Sequence, residues 1–195
     1  MHRVKRFFPE FSEAVFDQLA SFCALVHAKN EDLNLISRKD IDRIIEGHLF
    51  PSLAIYKKHP FEIGATVLDI GTGGGFPGLP LAVTMPNVHF TLIDATAKKI
   101  KAVETFAATL GLKNVTCIHD RVENLHARYH YVIGRAVARS DCFFSWAKAH
   151  LKPHGRILYL SGGEIAPENK MTVVDLFMLY DQQFCATKKL LIVTP

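Results

Sequence analysis

The stretch Thr66-Val-Leu-Asp-Ile-Gly-Thr-Gly-Gly-Gly-Phe-Pro-Gly-Leu-Pro80 leaves this chain the fewest ways to fold. Val67, Leu68 and Ile70 make a short, apolar, β-favouring run around an acid, Asp69. Gly71, Gly73, Gly74, Gly75 and Gly78 follow, and they admit backbone angles and close approaches that a Cβ forbids. Pro80 suits a first helical turn, where its missing N–H costs nothing. A strand, a glycine loop and a helix in this order carry a nucleotide-like ligand on bare backbone at the helix N-terminus.

The rest of the chain supplies the sheet that such a unit needs. A second strand is predicted over Val88–Ile93, ending at Asp94, and then a helix over Thr96–Leu110, with Thr96 as its N-cap and Gly111 as its stop. Strands follow over Val115–His119 and Tyr131–Gly134. A helix over Asp141–Leu151 is broken by Pro153 and Gly155, and a fifth strand runs over Arg156–Leu160. Thr172–Leu179 and Ala186–Val193 complete the set as antiparallel strands, since little helical sequence separates them. This alternation predicts an α/β, Rossmann-like fold. Its sheet has seven mostly parallel strands with right-handed crossovers and helices on both faces.

The segment before Thr66 has no strand signal. Phe8, Phe11, Val15, Phe16, Leu19, Phe22, Cys23 and Val26 recur at helical spacing and predict one amphipathic helix over residues 7–29. A turn-rich break, Asn30–Ser37, leads to a short helix capped by Asp40, with Ile41, Ile44 and Ile45 on its apolar face. A third helix starts at Pro51. The expected organisation is an N-terminal helical cap over residues 1–62 and a ligand-binding body over 63–195, together one unit.

Composition narrows the function classes. Hydrophobic residues make up 49% of the chain, enough for a substantial core. No apolar run approaches the roughly 20 residues that span a bilayer, and the basic N-terminus lacks the apolar segment of a secretory signal. Cys23, Cys117, Cys142 and Cys185 are scattered and form no CxxC pair, as in a reduced, cytoplasmic protein. His126 and His130 are the nearest approach to a metal pattern, and nothing accompanies them, so no metal is expected. The formal charge is +4. Basic groups gather at Arg3, Lys5 and Arg6, at Lys98, Lys99 and Lys101, and at Arg135 and Arg139. Solvated faces and a nucleic-acid partner both fit these groups.

The loop contains GxGxG and GxGxxG at once but no Gly-Lys-Ser/Thr, which excludes a Walker-type phosphate cradle. A dinucleotide and S-adenosylmethionine remain. An acid two residues before the first glycine is awkward beside a pyrophosphate. It suits a cofactor that carries an ammonium and a sulfonium and no phosphate. Asp94, at the end of the next strand, can accept hydrogen bonds from both hydroxyls of a ribose.

These residues carry a resemblance. Leu68-Asp-Ile-Gly-Thr-Gly-Gly-Gly resembles the first motif of class I S-adenosylmethionine-dependent methyltransferases. The Phe76-Pro-Gly78 continuation resembles the RsmG/GidB family, bacterial enzymes that methylate a guanine N7 of 16S ribosomal RNA. Asn30 with Leu33-Asn-Leu-Ile-Ser37, His48 with Ser52, Asp94 with Lys98 and Lys99, Arg121-Val-Glu123 and Arg135-Ala-Val-Ala138 fall in the order of that family. The resemblance implies that Gly71 and Phe76 line the cofactor and that Gly73 shapes the turn. It also implies that Val122 and Glu123 flank the adenine, that Asp94 holds the ribose, and that Arg135 closes the site as a positioning group. The implied partner is 16S rRNA or the small ribosomal subunit, met by a cytoplasmic monomer. Three residues depart from the family pattern: Pro51 where Asp is usual, Lys29 where Trp is common, and Ser161 where Lys is common. The last bears on the substrate entrance. Guanine N7 needs no proton removed, and the chain accordingly lacks both the Asn/Asp-Pro-Pro-Tyr/Phe motif of exocyclic-amine methylation and a Pro-Cys nucleophile. The other readings are a methyltransferase acting on a different substrate, an NAD-binding oxidoreductase, and a non-catalytic RNA-binding module.

Overall fold

A computed structural model of the chain describes residues 1–136, 140–163, 170–180 and 183–195. Arg139 and the Val137-Ala138 pair of the sequence motif lie outside the described residues.

Among the described residues, seven strands form one sheet in the order β3-β2-β1-β4-β5-β7-β6. They are β1 (Thr66–Ile70), β2 (His89–Asp94), β3 (Val115–His119), β4 (Tyr129–Arg135), β5 (Leu151–Ser161), β6 (Met171–Asp175) and β7 (Lys189–Val193). β1 to β5 are parallel to one another, and β7 runs antiparallel to both β5 and β6. β6 therefore regains the direction of the main sheet. The chain order reverses between β1 and β4, so the ends of these strands flank the crevice where doubly wound sheets bind ligands. Ile70 pairs with Ile93 on one side and with Gly134 on the other, which brings the ends of three strands level.

Among the described residues, seven α-helices accompany the sheet: α1 (His2–Phe7), α2 (Glu13–Lys29), α3 (Phe50–Lys58), α4 (Gly78–Thr84), α5 (Ala97–Thr109), α6 (Ser140–Ala149) and α7 (Leu176–Tyr180). The larger core cluster joins Leu19, Phe22 and Val26 of α2, Leu53 of α3, Leu79 of α4 and Phe106 of α5 to Val67, Leu92 and Ile133 of the sheet. On the opposite face, Phe143 and Ala147 of α6 pack on Leu68, Val132 and Ile157. The N-terminal helices thus share a core with the sheet. Phe7, Phe50 and Tyr180 meet edge-on or tilted, and the Tyr180 hydroxyl donates to Phe50 O at 2.9 Å.

Several expected boundaries shift for identifiable reasons. The helix expected over residues 7–29 spans Glu13–Lys29 only: Phe7 ends the separate α1, the chain breaks around Pro9, and it restarts at Ser12, whose Oγ accepts from Val15 N. Asp40 caps nothing: Ser37 caps a 3₁₀ turn over Arg38–Arg43, with its Oγ accepting from Lys39 N. Thr96 stands at the N-cap of α5 without a side-chain bond, and its N–H instead donates to Asp94 Oδ1 at 2.9 Å. α6 stops at Ala149, and Pro153 and Gly155 lie inside β5, where the pairing with β4 slips between Tyr129 and Tyr131. The strand expected over Thr172–Leu179 ends at Asp175, and its apolar tail Leu176–Tyr180 turns helical to pack Leu176 and Tyr180 inward.

A π-helical turn, Ile45–Leu49, leads directly into α3. Pro51 has no N–H to give to Gly47 O or Glu46 O, the acceptors of an α- or π-helical bond from that position. Lys188 takes both, with Nζ donating to Gly47 O at 3.0 Å and to Glu46 O at 3.2 Å.

Candidate active site

The glycine loop is held by two carboxylates. Asp69, at the end of β1, is fully buried. Its Oδ2 accepts from the Thr72 hydroxyl at 2.7 Å and from Gly78 N at 3.0 Å, tying loop and helix to the strand. Its Oδ1 is buried with no hydrogen-bond partner among the described residues. Burial pushes this carboxyl up to about 7, while the Thr72 hydroxyl, the Gly78 amide and the Arg135 charge pull it back. Asp69, expected as an acid facing a cationic ligand, is instead a buried loop organiser that lines neither of the cavities at the strand ends. Asp94 does similar work from β2: Oδ2 accepts from Gly73 N at 3.0 Å and Oδ1 from Thr96 N. A carboxylate has about four lone-pair positions, so Asp94 keeps acceptor capacity for a ligand. Gly73 has φ 58°, a left-handed conformation that glycine adopts without strain.

One cavity adjoins this loop at Gly71, and a second lies next to it. The first, about 310 Å³, lies at the carboxyl ends of β1 and β2 and is lined by Gly71, Asp94, Val122, Glu123, Ala136 and Trp146, among others. Its other charged residues are Asp120 and Arg121, so acids predominate. A 3₁₀ turn, Val122–Asn124, presents Val122 and Glu123 there, with Val122 buried and Glu123 exposed. Asp120 shapes the turn, its Oδ1 accepting from Arg121 N and Asn124 Nδ2, both at 2.7 Å.

The second cavity, about 450 Å³, lies between β4, β7 and the segment from Ile36 to Pro51. Arg135, His48, Asp40 and Lys188 face it, and Ala136 borders both cavities. The Arg135 guanidinium lies 5.2 Å over the Phe76 ring and donates to His48 Nδ1. Burial lowers its affinity for a proton to about 10, so it stays charged at neutral pH. His48 tilts against Phe76 at 5.3 Å. Burial, Arg135 and Lys188 together lower the imidazole to about 3, so it is neutral.

The residues expected from sequence fall in distinct places. Gly71, Asp94, Val122 and Glu123 line the first cavity, and Arg135 lines the second. Gly73 and Phe76 line neither: Gly73 braces the loop, and Phe76, 2% exposed, is the floor beneath Arg135 and His48. Asn30 clasps the N-terminal break, with Oδ1 accepting from Leu35 N at 2.8 Å and Ile36 N at 3.0 Å. This seats Leu35 on the glycine loop so closely that a Cβ on Gly74 would meet Leu35 Cβ at 3.0 Å. Of the three departures, Pro51 and Ser161 line the second cavity, while Lys29 pairs with Asp32 at 3.2 Å beside a third cavity. Asp40, Trp146 and Lys188 were not expected at a site. Asp40 read as a cap, Trp146 sits in an ordinary helical pattern, and nothing local marks Lys188. His48 belonged to a quoted pattern but had no assigned role.

The strand order with its single reversed strand, the glycine loop after β1 and the acid at the end of β2 define a class I S-adenosylmethionine-dependent methyltransferase fold. Among solved structures, a SAM-dependent methyltransferase from Aquifex aeolicus is similar at TM-score 0.53 and 19% identity, covering 69% of this chain and 77% of that one. The chain belongs to the rRNA small subunit methyltransferase G family, whose model matches residues 16–189. Proteins named ribosomal RNA small subunit methyltransferase G are similar along most of its length. The one from Flavobacterium johnsoniae is 40% identical over 199 residues, 97% of this chain and 95% of its own. The one from Chlorobium chlorochromatii is 42% identical over 158 residues, 80% of this chain and 68% of its own.

Proposed function

We propose that this protein transfers the methyl group of S-adenosylmethionine to N7 of a guanine in the 16S rRNA of the small ribosomal subunit. The observation that carries this reading is the junction at Ala136 of an acid-lined cavity and a cation-bearing one. The acid-lined cavity suits a ligand with ribose hydroxyls and positive charge, and it is a poor match for a pyrophosphate. In it, Asp94 holds the ribose, Val122 and Glu123 flank the adenine, and Gly71 offers bare backbone beside the bound molecule. Gly73 and Phe76 act one layer back. S-adenosylmethionine supplies an electrophilic methyl on a sulfonium that leaves as a neutral thioether, so no acid is required.

Guanine N7 carries an in-plane lone pair, so no base is required either. The cavity agrees: its imidazole is a weak base, and the Nδ1 lone pair already accepts from Arg135. Catalysis is then positioning, for which effective molarities reach about 10⁵–10⁸ M. Arg135, pinned by His48 and Phe76, orients the base or a phosphate of the substrate. RNA affinity rests on basic side chains and weakens steeply with salt. The reaction belongs in the cytoplasm, where the small subunit is found.

The test is mass mapping of rRNA methylation with and without the gene, followed by transfer assays on the unmethylated RNA. One guanine-borne methyl group of 16S rRNA disappears on deletion, and the purified protein restores it. Arg135→Ala lowers the rate by about a hundredfold or more, the range for one misplaced positioning group. An unchanged methylation map refutes the assignment, and an unchanged Arg135→Ala rate removes that residue from the mechanism.

A further inference from the structure

The second cavity carries more polar machinery than methylation of a lone pair needs. Arg135 donates to His48 Nδ1. A guanidinium cannot accept, so Nδ1 is the bare nitrogen and the imidazole proton sits on Nε2. His48 is 7% exposed, and its Nε2 is buried with no hydrogen-bond partner among the described residues. Asp40 Oδ2 lies 3.6 Å from Nε2, just beyond hydrogen-bond reach, and the Asp40 side chain is 51% exposed. The wall therefore presents a cation, a neutral N–H and a carboxylate in sequence. A buried donor without an acceptor is costly, and native structures seldom keep one without a reason.

Guanine presents a matching sequence along its edge. N7 is followed by the O6 acceptor and then by the N1–H and N2–H₂ donors. We propose that Asp40 is a specificity residue that accepts from N1–H and N2–H₂ of the target guanine, while His48 Nε2–H donates to O6. N7 then faces the Ala136 junction, where the two cavities meet. Adenine in the same pose sets its N6 amino group against the His48 N–H and its bare N1 against the carboxylate, two repulsive contacts that exclude it. Lys188 spends two of its three N–H donors on Gly47 O and Glu46 O, which holds its ammonium against the π-helical turn. The inference rests on the guanine-methylating function proposed above.

The experiment uses the full chain and Asp40→Ala, with small-subunit rRNA transcribed with guanosine or with inosine, which lacks the N2 amino group. Calorimetry with S-adenosylhomocysteine accompanies the rates. The wild type loses roughly 10- to 150-fold on inosine RNA, the range for a hydrogen bond to a charged group. Asp40→Ala, which gives up the N1–H contact as well, loses at least that factor on guanosine RNA, shows no further loss on inosine RNA, and binds S-adenosylhomocysteine as the wild type does. Altered folding of inosine RNA affects both proteins alike, so the ratio isolates the contact. A guanosine rate within twofold of wild type, or inosine sensitivity equal to that of the wild type, overturns the role of Asp40. Absence of any transfer to RNA by the wild type is a separate result, and it overturns the function on which the inference rests.

Discussion

Gly78→Ala tests the close contact that sets the glycine loop. A Cβ on Gly78 would stand 2.7 Å from Asp69 Oδ2, 3.0 Å from Leu92 Cγ and 3.1 Å from Leu92 Cδ1. The carboxylate cannot easily retreat, because the same oxygen accepts from the Thr72 hydroxyl at 2.7 Å and from the Gly78 amide at 3.0 Å. The start of α4 must move off the strand and stretch or break its bond to Asp69. Overpacking costs about 1–3 kcal/mol, and a hydrogen bond to a charged group is worth about 1.5–3 kcal/mol. Alanine returns less than about 1 kcal/mol of helix propensity, and little of that at a first helical position. The expected loss is about 2–4 kcal/mol. Urea denaturation reads it as a midpoint lowered by about 1–2 M, with slopes near 2 kcal/mol/M. Gly162→Ala is the control: nothing lies within 4 Å of its ideal Cβ, so stability stays within about 0.5 kcal/mol. A Gly78→Ala midpoint equal to that of the wild type refutes the packing argument, and so does an equal fall in Gly162→Ala.

Other outcomes follow from the same contacts. Folding raises the Asp69 carboxyl from 3.8 to about 7, so the folded state holds a proton that the unfolded chain releases between those values. The contribution of Asp69 to stability is therefore greatest below about pH 4, falls as pH rises to about 7, and is level beyond it, a span on the order of 4 kcal/mol at about 1.4 kcal/mol per pH unit. Asp69→Asn removes that slope, and superimposable wild-type and variant profiles from pH 4 to 8 would count against it. Asn30→Ala orphans the amide of Ile36, leaves Leu35 N with only its bond to Leu33 O, costs about 1–3 kcal/mol, and loosens Leu35 from the glycine loop. Hydrogen exchange checks this: faster exchange at both amides is expected, and unchanged protection contradicts it. Lys188→Met strands the carbonyls of Glu46 and Gly47 and destabilises by about 1–3 kcal/mol. Wild-type stability in that variant would mean that Pro51 leaves no carbonyl needing a donor.

Much of this protein was legible because its signals are local. Asp69 and the glycines mark a strand, a turn and a helix within a few residues of one another, and β3 falls on Val115–His119 as expected. Alternating strands and helices implied a mostly parallel sheet, and the short link before the last strand implied the reversal at β7. Boundaries failed where distant packing outweighed local preference. Leu176–Tyr180 is as apolar as a strand, yet it coils so that Tyr180 can reach Phe50. Pro153 and Gly155 look like breakers, yet a slipped register absorbs them within β5.

The sequence by itself determined the glycine cradle, the acids ending its strands and the family, because each is carried by short motifs that can be read along the chain, in their order, without knowing which of them meet in space. Tertiary structure alone decided what stands across the second cavity. His48, Arg135 and Lys188 are far apart in the chain, and they meet only because the π-helical turn, the end of β4 and the residue before β7 converge at the carboxyl end of the parallel strands. The imidazole tautomer, its unpartnered N–H and the carboxylate beside it follow from that convergence. They are properties of distances between elements, and no residue pattern along the chain encodes them.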